Sequence, residues 1–163
     1  MQKCNKYDIW VLLDAHQDLY SKKFCGEGFP DWAVERRSFP APLKVKMEFD
    51  EHGYPKREDC LKVEFATFYL TEDLMRFQED FFTNKRGLMD SFSNMWKTVA
   101  AYMSREPNLL GYEIVNEPIG ANAYKHPFET ITPGVSNNKY LLEAYKQVYR
   151  SIREVDNEHL IFF

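Results

Sequence analysis

Gly111-Tyr112-Glu113-Ile114-Val115-Asn116-Glu117-Pro118 is the stretch on which the reading of this chain turns. Leu109 and Leu110 precede it, so an apolar run ends abruptly in an amide, a carboxylate and a proline. Parallel-sheet enzymes present their chemistry at the carboxyl ends of buried strands, and a strand that stops at a polar pair fits that plan. A carboxylate leaving such a strand is expected to emerge where water is scarce, which favours the proton-bearing form. Asn116 can hydrogen-bond a substrate hydroxyl, and Pro118, without an amide hydrogen, ends the pairing. Taken alone, the stretch reads equally well as an ordinary strand end with a solvated glutamate.

A second strand end changes the balance. Ile9-Trp10-Val11-Leu12-Leu13 is a continuous apolar run, the pattern of a strand covered on both faces, and it stops at Asp14-Ala15-His16-Gln17-Asp18. By themselves His16 and Asp18 read more simply as a satisfied histidine and a helix cap. Two strands that both finish in titratable groups make that account less economical. A sugar site needs what both clusters offer, donors and acceptors for hydroxyls around one proton-donating carboxyl.

The two segments VLLDAHQDLYS (Val11 to Ser21) and LLGYEIVNEP (Leu109 to Pro118) resemble glycoside hydrolase family 5, and within it the endoglycoceramidase-related branch. The stretch from Cys25 to Ala33 (CGEGFPDWA), the segment Leu88 to Met103 with Trp96, and the stretch Tyr145 to Phe163 follow the same branch in the same order. The resemblance implies an α/β fold, a (β/α)8 TIM barrel with its active site at the carboxyl ends of the strands. It implies a retaining glycosidase with two glutamates and no cofactor. Glu117 takes the place of the family's acid/base, Asn116 that of the residue contacting the sugar beside the scissile bond, and His16 and Asp18 line the glycone side. No counterpart of the nucleophile is found. The substrate implied is a glycan linked to ceramide in a glycosphingolipid. Another β-glucoside or β-glycan, or a catalytically inactive remnant, remains open.

A complete barrel of this type needs about 250 residues or more, against 163 here. Three core strands are expected, around Ile9 to Leu13, Leu109 to Val115 and Leu160 to Phe163, which the resemblance makes strands three, four and five. The expectation is therefore a partial catalytic domain spanning 1–163, without the first two and last three strands. Three parallel strands cannot close a barrel, so the outer strands should carry bare apolar side chains and the polypeptide should be poorly soluble or associate with itself.

Between the first two strands lies a long excursion, Tyr20 to Leu70, far more than a crossover needs. Its length on the catalytic side suggests an active-site wall. Phe29 and Trp32 lie within it; Trp32 is a candidate platform for a sugar or lipid face, with simple loop packing as the alternative. Phe49 to Tyr54 reads as a strand end and turn with positive φ at Gly53. Leu74, Phe77, Phe81 and Phe82 share a helix face that Thr71 could cap. Leu88, Phe92, Met95, Trp96, Val99 and Met103 form a second stripe, and Leu141, Tyr145, Val148, Ile152 and Val155 a third.

Other classes are set aside on composition. A net charge of −4 and a pI near 5.6 offer no basic face for nucleic acid. No run approaches the ~20 apolar residues of a membrane span. His16, His52, His126 and His159 lack HExxH-type spacing, so no metal is expected. Met1 to Asp8 is too short and polar for a signal peptide, whereas homologues of the resembled branch point to a secreted or lysosomal parent. Cys25 and Cys60 flank the excursion and are either bridged or two buried thiols; Cys4 is left over.

Overall fold

The computed structural model describes residues 1–35, 43 and 45–163. A short helix, α1 (Gln2–Lys6), leads into strand β1 (Val11–Asp14). The excursion that follows holds a 3₁₀ turn (Lys22–Phe24), α2 (Arg57–Cys60) and α3 (Phe65–Phe68), and passes into α4 (Glu72–Phe82) and α5 (Leu88–Met103). Strand β2 (Leu109–Glu113) comes next, then α6 (Pro127–Ile131), a π-helical turn (Asn137–Leu141), α7 (Leu142–Arg153) and β3 (Leu160–Phe162). The three strands form one parallel sheet in the order β1-β2-β3. Helices bridge each consecutive pair, the βα alternation that the sequence patterning anticipates.

The register decides which side chains share a face. Leu13, Tyr112 and Ile161 stand side by side, whereas Leu12, Gly111 and Leu160, then Asp14, Glu113 and Phe162, occupy the opposite face. Helices cover the first face. The Trp96 indole of α5 meets Tyr112 edge-on at 5.7 Å and donates to the Ile114 carbonyl at 2.9 Å. Ile152 and Val148 of α7 are fully buried beside it. The second face is open: Leu12, Leu160 and Phe162 are 38%, 54% and 37% exposed. The reading of β1 as covered on both faces is thus corrected, and the bare apolar side chains expected of an unclosed sheet are present.

Several boundaries also move. The strand expected to reach Val115 ends in regular pairing at Glu113, after which the Ile114 amide donates to the Phe162 carbonyl and that of Asn116 to the Ala15 carbonyl. Thr71 does sit at the N-cap of α4, but its hydroxyl donates backwards to the Phe68 carbonyl at 2.8 Å and caps nothing. A threonine hydroxyl that finds a local carbonyl is lost to the helix amides. The third stripe starts in a π turn, with regular helix only from Leu142. The Gly53 turn is as expected, with φ of 80° and an antiparallel bridge from Phe49 to Pro55.

Two features tie the crossovers down. Cys25 and Cys60 form a disulfide with Cα atoms 5.7 Å apart, and Cys4 is free. Before β3, Asp156 accepts from the Tyr112 hydroxyl at 2.6 Å and from the Glu158 and His159 amides, and pairs with His159 Nδ1 at 2.7 Å. Burial works against this carboxylate, but the surrounding donors prevail and hold it at about 2. No described helix is long and apolar enough to cross a membrane.

Candidate active site

The carboxyl ends of β1 and β2 run side by side into the two motifs. Alternation along β1 places Asp14, His16 and Asp18 on one side of the chain and Gln17 on the other. His16 stands between the two carboxylates: Nδ1 lies 2.8 Å from Asp14 Oδ2 and Nε2 lies 3.4 Å from Asp18 Oδ2. The hydrogen bond with Asp14 raises the imidazole above its ordinary pKa; desolvation opposes it, and the charge of Asp14 and the Asp18 carboxylate add to the rise.

Gln17 is fully buried and joins the motifs. Its Nε2 donates to the Asn116 carbonyl at 2.7 Å, while Asn116 Nδ2 donates back to the Gln17 carbonyl at 3.1 Å. The remaining Gln17 oxygen accepts the Tyr20 amide at 3.1 Å. This reciprocal pair holds the residue before Glu117 against the residue between His16 and Asp18.

The backbone at both motif ends is strained. Leu19 and Tyr20 are fully buried in left-handed conformation, with φ of 55° and 60°, and Glu117 has φ of 39°. A residue before proline normally stays extended, so the Glu117 conformation is held against local preference by the loop around it. That loop is anchored to α4, where Glu79 accepts from Asn122 at 3.3 Å and Lys125 at 2.7 Å. Beyond Tyr20 the chain doubles back, and Asp18 and Glu27 exchange backbone hydrogen bonds of 3.1 and 2.7 Å. Gly26 is required there, because a Cβ would sit 1.8 Å from the Asp18 carbonyl oxygen.

His16, Asp18, Asn116 and Glu117 therefore lie at one edge of the sheet. Glu117 is exposed and Asn116 partly buried, so the dry setting expected for the glutamate is absent among the described residues. Its short strand leaves it beyond the covered part of the sheet. Trp32, 66% exposed, lines a cavity of about 510 Å³ with Asp14, His16, Phe29, Leu88 and Phe92, whereas Glu117 is not among its lining residues. His16 and Trp32 thus share one hollow, and the Gln17–Asn116 pair holds the residue before Glu117 against the His16 motif.

Three residues near the site were not singled out from sequence. Asp14 and Gln17 lie inside a quoted motif, and strand parity would have assigned the first to the His16 face and the second to the buried side. Tyr69, at the end of α3, gives no sequence signal. Its hydroxyl accepts the Leu19 amide at 3.4 Å. Desolvation, then the charges of Asp18 and Glu117, raise its pKa above the usual tyrosine value.

The whole chain, residues 1–163, matches the family model for cellulase, glycosyl hydrolase family 5. The chain belongs to glycosyl hydrolase family 5. It is 42% identical over 162 residues to an endoglycoceramidase of Hydra vulgaris, covering 97% of this chain and 31% of that protein. An endoglycoceramidase of Cyanea nozakii is 40% identical, with 100% and 33% covered. Among solved structures, endo-glycoceramidase II from Rhodococcus sp. superposes with a TM-score of 0.73 at 20% identity, over 96% of this chain and 31% of that one. This family 5 chain spans about a third of the length of the relatives it matches. Its parallel βα units correspond to part of their TIM barrel.

Proposed function

We propose that this chain carries the acid/base half of a retaining glycoside hydrolase that releases the glycan from ceramide in glycosphingolipids. The observation that carries the reading is the reciprocal Gln17–Asn116 pair, which sets the Glu117 loop beside His16 and Asp18. The names of the relatives support the substrate, and one solved relative is described as a lactosyl–enzyme intermediate, the species a retaining mechanism forms. Another is a complex with ganglioside GM3.

In this reading Glu117 protonates the departing oxygen of the lipid alcohol and later deprotonates the water that frees the sugar. Asn116, His16 and Asp18 bind the sugar's hydroxyls. The carboxylates on either side of His16 favour its protonated form, in which Nε2 can donate to a sugar hydroxyl. Trp32 offers an exposed flat face beside His16. From the 20–70 excursion, Phe29 and Trp32 wall the hollow beside His16, whereas Tyr20 and Phe24 belong to the buried core. The second carboxylate, ~5–5.5 Å from Glu117 for retention, has no counterpart among these residues and falls to the remaining length of the relatives' barrel. That remaining barrel would also cover Glu117 from water.

Replacing Glu117 by Gln in the intact protein is the direct test. Release of ceramide from a glycosphingolipid should fall by at least about a thousandfold. Hydrolysis of an activated aryl β-glycoside, whose leaving group needs little protonation, should fall far less. Equal losses on both substrates would remove Glu117 from the acid role.

A further inference from the structure

We propose that Tyr69 is a substrate-binding residue of this site, its phenol donating a hydrogen bond to an oxygen of the glycoside held between Asp18 and Glu117. The inference deepens the glycosidase reading and rests on it.

Two hydrogen bonds place Tyr69 at the seam between the motif loops. Its hydroxyl oxygen accepts the amide of Leu19, the residue after Asp18. The next carbonyl along, that of Leu70, accepts the Tyr124 hydroxyl at 2.6 Å, and Tyr124 belongs to the loop that follows Glu117. The end of α3 is therefore stitched to both loops. Phe65 meets the Tyr69 ring edge-on at 6.0 Å and steadies it. On the far side of the same segment the Cys25–Cys60 disulfide fixes α2 to the chain that leaves Asp18.

The chemistry of the seam asks for a donor. Asp18 and Glu117 are acceptors when ionised. His16 Nδ1 is taken by Asp14 and one hydrogen of Asn116 Nδ2 by the Gln17 carbonyl, which leaves His16 Nε2 and the second Asn116 hydrogen for the sugar's other hydroxyls. A sugar hydroxyl between two carboxylates can give its hydrogen to one of them, but its oxygen then needs a donor. The Tyr69 oxygen accepts from Leu19, and its hydrogen is given to none of the described residues. Desolvation and the neighbouring charges of Asp18 and Glu117 favour the phenol over the phenolate, so that hydrogen is available to donate.

The test is Tyr69→Phe in the intact protein, with two readouts. The first is kcat/KM on a β-glucoside, expected to fall tenfold to a hundredfold when measured well below the thermal midpoint, which loss of the Leu19 amide's acceptor should lower. The second does not need turnover: ¹³Cζ-tyrosine NMR, with the Tyr69 resonance assigned by its loss in Tyr69→Phe. Its titration should move to lower pH in Asp18→Asn and again in Glu117→Gln. An unchanged kcat/KM in Tyr69→Phe, or a Tyr69 titration indifferent to either carboxylate, would overturn the proposal. A wild-type protein that cleaves no β-glycoside would instead defeat the glycosidase reading, and the NMR titrations would still decide where the phenol faces.

Discussion

Gln17 shows how much one buried amide can organise. It donates to Asn116 and accepts from Tyr20, so Gln17→Ala leaves a buried carbonyl and a buried amide without partners. The expected destabilisation is on the order of 1–3 kcal/mol, measured by urea unfolding, and the Asn116 amide should exchange faster with solvent. Asp14 acts on the neighbouring residue. Its hydrogen bond is the largest contribution to the raised pKa of His16, so Asp14→Asn should shift the His16 Cε1–H titration to lower pH in a proton NMR series. The sign follows from linkage: the imidazolium pairing is complete below the ordinary histidine value and fades as pH rises through the folded one. At this scale the sequence put His16, Asp18, Asn116 and Glu117 forward as candidates, because short motifs at strand ends carry chemistry in their residue types, and the structure brings the two motifs together at one edge of the sheet. It could not yield Tyr69, whose place depends on how α3 folds back 50 positions later onto Leu19.

At the scale of elements, periodicity located α4, α5 and α7 and the three strands, since burial against one covered face leaves a repeating apolar signature. The ends were less legible. Thr71 has the residue type of a cap, yet its hydroxyl finds the Phe68 carbonyl first. The short helices α2 and α3 have no stripe to read. The Cys25–Cys60 bridge holds α2 across 35 positions, and the Tyr69 hydroxyl holds the end of α3 to Leu19. Replacing both cysteines by serine should cost about 3–4 kcal/mol in the chain-entropy account, seen as a lower thermal midpoint. The joint between β2 and β3 is electrostatic. Asp156 at about 2 lies below its ordinary 3.8, so its stabilisation is full above pH 3.8 and lost as pH falls through 2. The shift corresponds to roughly 2 kcal/mol. Unfolding by urea at pH 5 and pH 2.5 should show the loss, and Asp156→Asn should flatten that part of the pH dependence.

For the molecule as a whole, the open sheet face leaves Leu12, Leu160 and Phe162 together in solvent. Expressed alone, the polypeptide should self-associate at micromolar concentration, and the pair Leu160→Lys and Phe162→Lys should return it toward a monomer in sedimentation velocity. A wild-type chain that sediments as a monomer would show that this face is less sticky than its apolar surface implies. The clasp at the site has a kinetic corollary. Gln17 and Asn116 are 99 positions apart, whereas Trp96 and the Ile114 carbonyl are separated by 18. Closing the longer span has the larger entropic barrier. Indole fluorescence should therefore recover first during refolding, and protection of the Asn116 side-chain amide from solvent exchange should lag behind it, so that a protein with native-like emission is for a time without its clasp.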